Sequence, residues 1–383
     1  MRIALLHPTY WPEVRRGSER LVHDLGTELA ARGHEVTVLT THEARPETAS
    51  EDGMRVVRRW RPPFLRPLRW YEDHIANAPT TIWSLRRGGY DLAHAFHPAD
   101  AWAAVQARRF GGPPVIFSFH GIPVRQYLVE RRYRLEMLQA TISGAAATTV
   151  LSEAAAETFS RYLLHEPSVL PGGVRCADFA VEIPRDPEPT LMSSASMRDP
   201  RKRSELLLDA FEELRARRSD VRLQLVRPRD PLIFWSTPRL PAAVSWVDAD
   251  DTPSLARAYA GARASVLPAV DEAFGLVLIE SLAAGTPAVA ARSGACPEII
   301  GDEAIGRLFE PDDAGDLVRA MEEVLDLGAR PETATVCRER AADFDWTRVA
   351  EKYERLYESV LEETEALGTP SRTSERIALK NSR

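Results

Sequence analysis

ASVLPAVDEAFGLVLIESLAAGTPAVAARSGACPEII, residues 264–300, carries the clearest alternation of local signals in the chain. Ala264 to Leu267 is an apolar run stopped by Pro268, the mark of a buried strand ending in a loop. The loop 268–275 carries Asp271, Glu272 and Gly275. Leu276 to Ala284 is a run of strong helix formers, closed by Gly285 where a left-handed cap is expected, and Pro287 to Ala291 is a second strand. The predicted unit is strand, glycine-containing loop, helix, strand. The amino end of its helix has unpaired N–H groups and a partial positive charge, which suits an anion. Glu272 precedes that end and Glu280 lies on the helix. Ionised glutamates only accept hydrogen bonds, so they suit hydroxyl groups. A nucleotide-sugar offers both partners, a diphosphate for the amides and alcohols for the carboxylates. The same residues also read as a buried βαβ unit with two solvated glutamates.

The segment Glu272-Ala-Phe-Gly-Leu-Val-Leu-Ile-Glu280 resembles the E-x7-E signature, usually EGFGLxxxE, of the retaining glycosyltransferases of family four. The resemblance runs over residues 1–364 and implies an α/β GT-B fold, two doubly wound Rossmann-like domains facing across a cleft. It implies that Glu272 holds hydroxyls of the donor sugar and Glu280 the ribose diol. The backbone of Ala273, Phe274, Gly275, Leu276 and Val277 would meet the diphosphate. Ala273 stands where the family usually has glycine, which implies a stiffer loop.

A chain of 383 residues suits two domains rather than one core. Its apolar content of 44% is ordinary for a globular protein, and a net charge of −7 argues against a nucleic-acid partner. No run of 18 apolar residues occurs, and the start MRIALLHPTYW reads as a first strand rather than a signal peptide. Cys176, Cys296 and Cys337 lack metal spacing and fit a reducing cytosol, so the expected address is the cytoplasm.

Arg2–Leu6, a helix over Ser18–Arg32 ended by Gly33, and Glu35–Thr40 form a βαβ opening, whose ligands bind beyond the carboxyl ends of the strands. The loop from His7 to Gly17 resembles the family's phosphate and acceptor loop, with Arg16-Gly17 in place of Gly-Gly. Arg16 either adds a phosphate contact or obstructs backbone approach. Neither G-x-G-x-x-G nor G-x-x-x-x-G-K-[ST] occurs. The stretch 55–70, RVVRRWRPPFLRPLRW, contains three prolines that forbid a regular helix. It reads as a solvated excursion after a strand, or as a patch for an anionic or membrane-surface substrate, which would place the protein peripherally at a membrane. Leu92–Phe96 and Val115–Phe119 are further strands leading into His97 and His120. His120-Gly121 resembles the family's strand-end histidine facing the sugar, and His97 is an acceptor-side candidate. Arg131, Arg132 and Arg134 read as a solvated helix face. Thr148–Leu151 enters a helix with Ser152 as cap.

The proline- and charge-rich stretch 181–189 is the expected hinge, giving an acceptor-side domain over 1–181 and a donor domain over 190–345. The resemblance implies that a helix over 346–364 crosses back to the first domain, and the polar stretch 365–383 is expected to be a disordered tail. The resemblance implies an arginine and a lysine clamping the diphosphate after the strand Thr190–Ser194. Lys202 matches the lysine, but Ser196 occupies the arginine position, leaving Arg198 or Arg201 as substitutes. Val247, at the end of the strand Val244–Val247, is the candidate for contact with the base. Asp248-Ala-Asp250-Asp251 imitates a metal-binding Asp-x-Asp, but the following Thr252-Pro253 favours acidic capping of a helix. No metal is expected and no cofactor, since the nucleotide-sugar is a substrate. The catalytic candidates are then Glu272, His120 and Lys202. Donor-site candidates are Gly17, Arg198, Val247, the backbone of 273–277 and Glu280, with Arg16 and His97 on the acceptor side. The implied activity is transfer of a sugar with retained configuration to an acceptor hydroxyl. A sugar-nucleotide epimerase, a catalytically silent member of the fold and a pseudo-glycosidic coupling enzyme remain open.

Overall fold

The computed structural model describes all residues except 45, 69–71, 196–198, 229–239, 250 and 368–383. Arg198, with the neighbouring Ser196, therefore lies outside the described residues, as do Trp70, Asp250 and most of the expected tail. Two compact units result, Met1–Gly173 with Trp346 onward, and Val174–Asp345.

The first unit is built on strands β1 (Arg2–Leu6), β2 (Glu35–His42), β3 (Glu47–Glu51), β4 (Met54–Trp60), β5 (Leu92–Ala95), β6 (Val115–Phe119), β7 (Ala147–Val150) and β8 (Ser168–Val169). Among the described residues they form one sheet in the order 3-4-2-1-5-6-7-8, parallel except for β3 on β4. The central strands β1, β5 and β6 are buried along nearly their whole length, as in a parallel sheet covered on both faces, and hold a few polar residues such as His94 and Ser118. Leu6, Leu39, Ala93, Phe117 and Val150 share one core. Leu6 stands in register with Leu39 on one side and Ala95 on the other. The helix Gly17–Ala31 follows β1, and Gly33 at φ 90° turns the chain into β2.

The helix Trp346–Ala366 belongs to this unit. Trp346 is buried and lies where a Cβ on Gly173 would collide with its ring. The Tyr357 hydroxyl meets Nδ1 of the buried His94 at 2.8 Å, and Glu354 pairs with Arg32 at 3.0 Å and His34 at 2.8 Å.

The second unit carries β9 (Thr190–Ser193), β10 (Arg222–Val226), β11 (Val244–Val247), β12 (Ala264–Leu267), β13 (Ala288–Ala291) and β14 (Gly306–Phe309). These run parallel in the order 11-10-9-12-13-14. Leu191, Leu223, Val266, Val289 and Phe309 pack against Leu317, Met321 and Val324 of the helix Ala314–Leu327. The predicted strand-loop-helix-strand unit is present as β12, the helix Leu276–Ala283 and β13, with Gly285 at φ 78° after the helix. The capping reading of Asp251 also holds, since its carboxylate accepts the Ser254 amide at 2.7 Å.

Three expectations need correction. Residues 181–189 are not the dividing hinge, because the division falls at Gly173/Val174. The Asp186 amide donates to the Gly261 carbonyl at 2.8 Å and Arg185 to the Gly285 carbonyl at 2.8 Å, which ties this segment to the second unit. The stretch 55–70 is not an excursion over its first half, where residues up to Trp60 form β4, inside the sheet. Arg58 is buried there between Glu51 and Glu13, a pairing that sequence periodicity does not reveal. Finally, Arg131 and Arg134 are not a solvated face. Both converge on the buried Asp73 at 2.9 Å, holding its carboxyl below the usual range despite burial.

Candidate functional site

In the second unit β9 and β12 are neighbours, so the loops leaving their carboxyl ends meet. The first loop ends in the turn Pro200–Lys202, and the second is 268–275. The Val270 amide donates to the Arg201 carbonyl at 2.9 Å, which zips the loops together. Their side chains then close the contact, Lys202 Nζ lying 2.5 Å from Glu272 Oε2. Two residues singled out independently from sequence are thus one ion pair. Its partners are largely but not wholly buried.

Glu272 also reaches forward, its Oε1 accepting the Gly275 amide at 3.3 Å. Gly275 sits at φ 87°, where a Cβ would approach Ile299 to 2.8 Å, so this position requires glycine. Ala273 lies outside the left-handed region, so a side chain there brings no backbone strain. Leu278 and Ile279 donate to the Gly275 carbonyl, which leaves the amides of Leu276 and Val277 at the half-buried helix end for an anion. Phe274 is buried against Phe344, ring centres 6.0 Å apart. Glu280 is 1% exposed within the helix. Asp199 holds the fork of Arg201 at 2.6 Å, so Arg201 reaches an anion only by leaving that partner. The Val247 carbonyl accepts the Arg227 amide at 3.0 Å, and Arg227 in turn pairs with Asp248 at 2.6 Å.

In the first unit β1, β5 and β6 are adjacent, and each is followed by a histidine: His7, His97 and His120. The three gather at one edge of the sheet. His7 and His97 rings are 6.4 Å apart, His74 lies 5.2 Å from His97, and His120 lies 5.0 Å from Phe96. Burial holds His97 and His7 below the usual imidazole range and pushes His74 and His120 down to about 3. The cluster is therefore neutral at ordinary pH. His97 caps the helix Pro98–Arg108, its Nδ1 accepting the Ala99 amide at 3.3 Å. Ser18 bridges the other two, its Oγ 3.1 Å from His7 Nε2 and 2.9 Å from His120 Nδ1. Arg16 and Gly17 open the helix containing Ser18, Arg16 exposed as its cap, and a Cβ on Gly17 would meet no atom within 4 Å.

Ser18, His74 and the buried Glu19 were not singled out from sequence, and His7 only as the start of a loop. The usable signal was the recurrence of histidine directly after strands that a doubly wound order makes neighbours.

A profile described as Glycosyltransferase Family 4 matches residues 15–178, and one described as Glycosyl transferases group 1 matches residues 178–344. An MMP alpha-(1->4)-mannosyltransferase from Mycolicibacterium hassiacum is 32% identical over 296 residues, covering 74% of this chain and 68% of that protein. A phosphatidyl-myo-inositol mannosyltransferase from Mycolicibacterium smegmatis is 27% identical over 94% of both chains. Among solved structures, a sucrose-phosphate synthase from Thermosynechococcus elongatus superimposes with a TM-score of 0.80 at 24% identity, over 94% of this chain and 99% of that one. HepE from Anabaena, solved with UDP-glucose, gives 0.69 at 15% identity over 94% and 100%.

Two parallel-sheet α/β units of this kind are the fold of the GT-B glycosyltransferases, and this chain is a glycosyltransferase. It belongs to family four, as the 272–280 segment suggested.

Glu280 gives a first test. Glu280→Gln keeps the shape of a buried side chain and removes its charge. We expect nucleotide-sugar affinity to fall about tenfold, as for a hydroxyl losing a charged acceptor. Calorimetry showing unchanged affinity, with the fold intact by circular dichroism, removes the ribose role.

Proposed function

We propose that the chain transfers a sugar from a nucleotide-sugar to a hydroxyl of an acceptor, with retention of configuration and without a divalent metal. The observation that carries this reading is the Lys202–Glu272 pair beside the free amino end of the helix Leu276–Ala283. On binding, the diphosphate takes the helix-end amides and Lys202, and the released Glu272 carboxylate accepts from sugar hydroxyls. Spreading leaving-group charge over fixed donors is the main catalytic lever such a site offers. The leaving phosphate oxygen then removes the proton from the incoming hydroxyl on the same face, so no protein nucleophile is required. Neutral imidazoles in the first unit suit uncharged alcohol groups. The mannosyltransferase relatives and the UDP-glucose complex of HepE support a nucleotide-sugar donor.

Among the described residues no helix is long and apolar enough to cross a membrane. Trp60, Phe64 and Leu68 are exposed near Arg66. This cluster, together with a relative named for phosphatidyl-myo-inositol, supports peripheral contact with a membrane surface. The cytoplasm is the proposed address.

A thermal-shift screen of UDP-, GDP-, ADP- and dTDP-sugars tests the donor. One of them should raise the melting temperature in proportion to the logarithm of its concentration above Kd. The product should keep the donor's anomeric configuration by proton NMR, and turnover should survive a chelator. An inverted product, or strict dependence on added divalent ion, overturns the corresponding part of the proposal.

A further inference from the structure

The hydrogen bonds around Ser18 fix more than the position of His120. His7 Nδ1 lies 2.6 Å from the Thr9 carbonyl oxygen, which can only accept, and 3.3 Å from the Thr9 amide, which can only donate, so the much shorter contact puts the proton on Nδ1. A neutral His7 then has a bare Nε2, and the Ser18 hydroxyl donates to it at 3.1 Å. That uses the only proton on Ser18 Oγ. At 2.9 Å from His120 Nδ1 the same oxygen accepts, so Nδ1 of His120 is also the protonated nitrogen. His120 Nε2 is left as a bare lone pair, and it is enclosed with no hydrogen-bond partner among the described residues.

We propose that His7 and Ser18 are positioning residues that lock His120 in its Nδ1–H tautomer, so that Nε2 accepts a hydrogen bond from a ligand hydroxyl. A bare imidazole nitrogen repels phosphate and carboxylate oxygens, so the ligand atom it meets is an alcohol O–H. This deepens the glycosyl-transfer reading and rests on it for the nature of the ligand. The direction of the chain is set inside the protein. If His7 carried two protons, both Ser18 bonds would reverse and Nε2 of His120 would become a donor. Burial lowers the His7 pKa against the pull of Glu19, which favours the neutral ring at ordinary pH.

The test is NMR of the full chain labelled with 15N-histidine, which separates protonated from bare ring nitrogens without any ligand. His120, assigned by loss of its signals in His120→Gln, should show a protonated Nδ1 and a bare Nε2. Ser18→Ala should mix its tautomers, and Ser18→Thr, which keeps the hydroxyl, should restore the single form. A protonated Nε2 in the unaltered chain overturns the proposal, as does an unchanged tautomer in Ser18→Ala. UDP-glucose and GDP-mannose, each compared with its nucleoside diphosphate, then test the ligand atom. The expected result is a shift at His120 Nε2 with a sugar nucleotide and none with the diphosphate alone. The same shift from the diphosphate overturns the hydroxyl assignment. A failure of the donor reading would show itself differently, as no nucleotide binding by a chain whose His120 has the expected tautomer.

Discussion

Lys202→Met is expected to lower kcat/KM by ~10²–10³-fold while leaving the chain folded, the magnitude for removing one fixed donor from developing charge. Two energies meet at this one side chain. As an ion pair with Glu272, Lys202 is largely buried. The pair lies between exposed pairs worth about 0–1 kcal/mol and fully buried ones whose breaking costs about 3–5 kcal/mol, and Glu272 keeps the Gly275 amide as a partner. In the proposed role as donor to a leaving diphosphate the same ammonium would contribute about 3–4 kcal/mol to the transition state. The rate per folded molecule should therefore fall while the chain stays folded, and urea melts beside initial rates measure both. Glu272→Gln separates the roles further. It should free Lys202 and leave only an uncharged amide oxygen to accept from sugar hydroxyls, so binding of a nucleoside diphosphate alone should persist while sugar transfer falls. The double variant should be little worse than Lys202→Met, because both residues act on one ligand. Equal losses of stability and rate in Lys202→Met would reduce the pair to a structural brace.

The second unit was legible because its signals are local. A strand ended by Pro268, a loop ended by Gly275 and a helix closed by Gly285 are written in consecutive residues, and the structure places them so. Glu272 and Lys202 were legible by resemblance, but their mutual contact was not. It depends on β9 lying beside β12, a pairing made between residues far apart in sequence. The first unit hid more. Arg58 and Arg134 look like surface charges in sequence, and become interior once carboxylates from other segments reach them. Ser18 reads as an ordinary residue in the first turn of a helix. Its importance arises only where the ends of β1 and β6 bring His7 and His120 to opposite sides of one hydroxyl. No window of sequence contains all three. The division at Gly173 was missed because proline and charge at 181–189 signal a lack of regular structure, which is not the same as a lack of contacts.

Gly294→Ala should be the most damaging single-methyl change near the candidate site. Gly294 has φ 56°, and a Cβ there would lie 2.2 Å from the Glu272 carbonyl oxygen and 2.7 Å from its nitrogen. These are backbone atoms and cannot rotate away. Two hydrogen bonds pin the loops at that point, the Asp271 amide to Ser293 Oγ at 3.0 Å and the Ala295 amide to the Glu272 carbonyl at 2.8 Å. The left-handed backbone costs alanine about 1–2 kcal/mol, and overpacking adds about 1–3 kcal/mol. Relief comes by pushing Glu272 off its support, which breaks its contacts with Lys202 and the Gly275 amide. Stability should therefore fall by roughly 2–5 kcal/mol on these two terms, and nucleotide-sugar binding should weaken in the fraction that remains folded. Two controls separate the causes. Gly33→Ala has φ 90° but no atom within 4 Å of the new Cβ, so it should show the backbone cost alone and bind normally. Gly294→Asn tolerates the left-handed region yet keeps the collision, so it should bind as poorly as Gly294→Ala. Near-normal binding by Gly294→Asn would mean that the backbone angle, and not the close approach to Glu272, is what this glycine supplies.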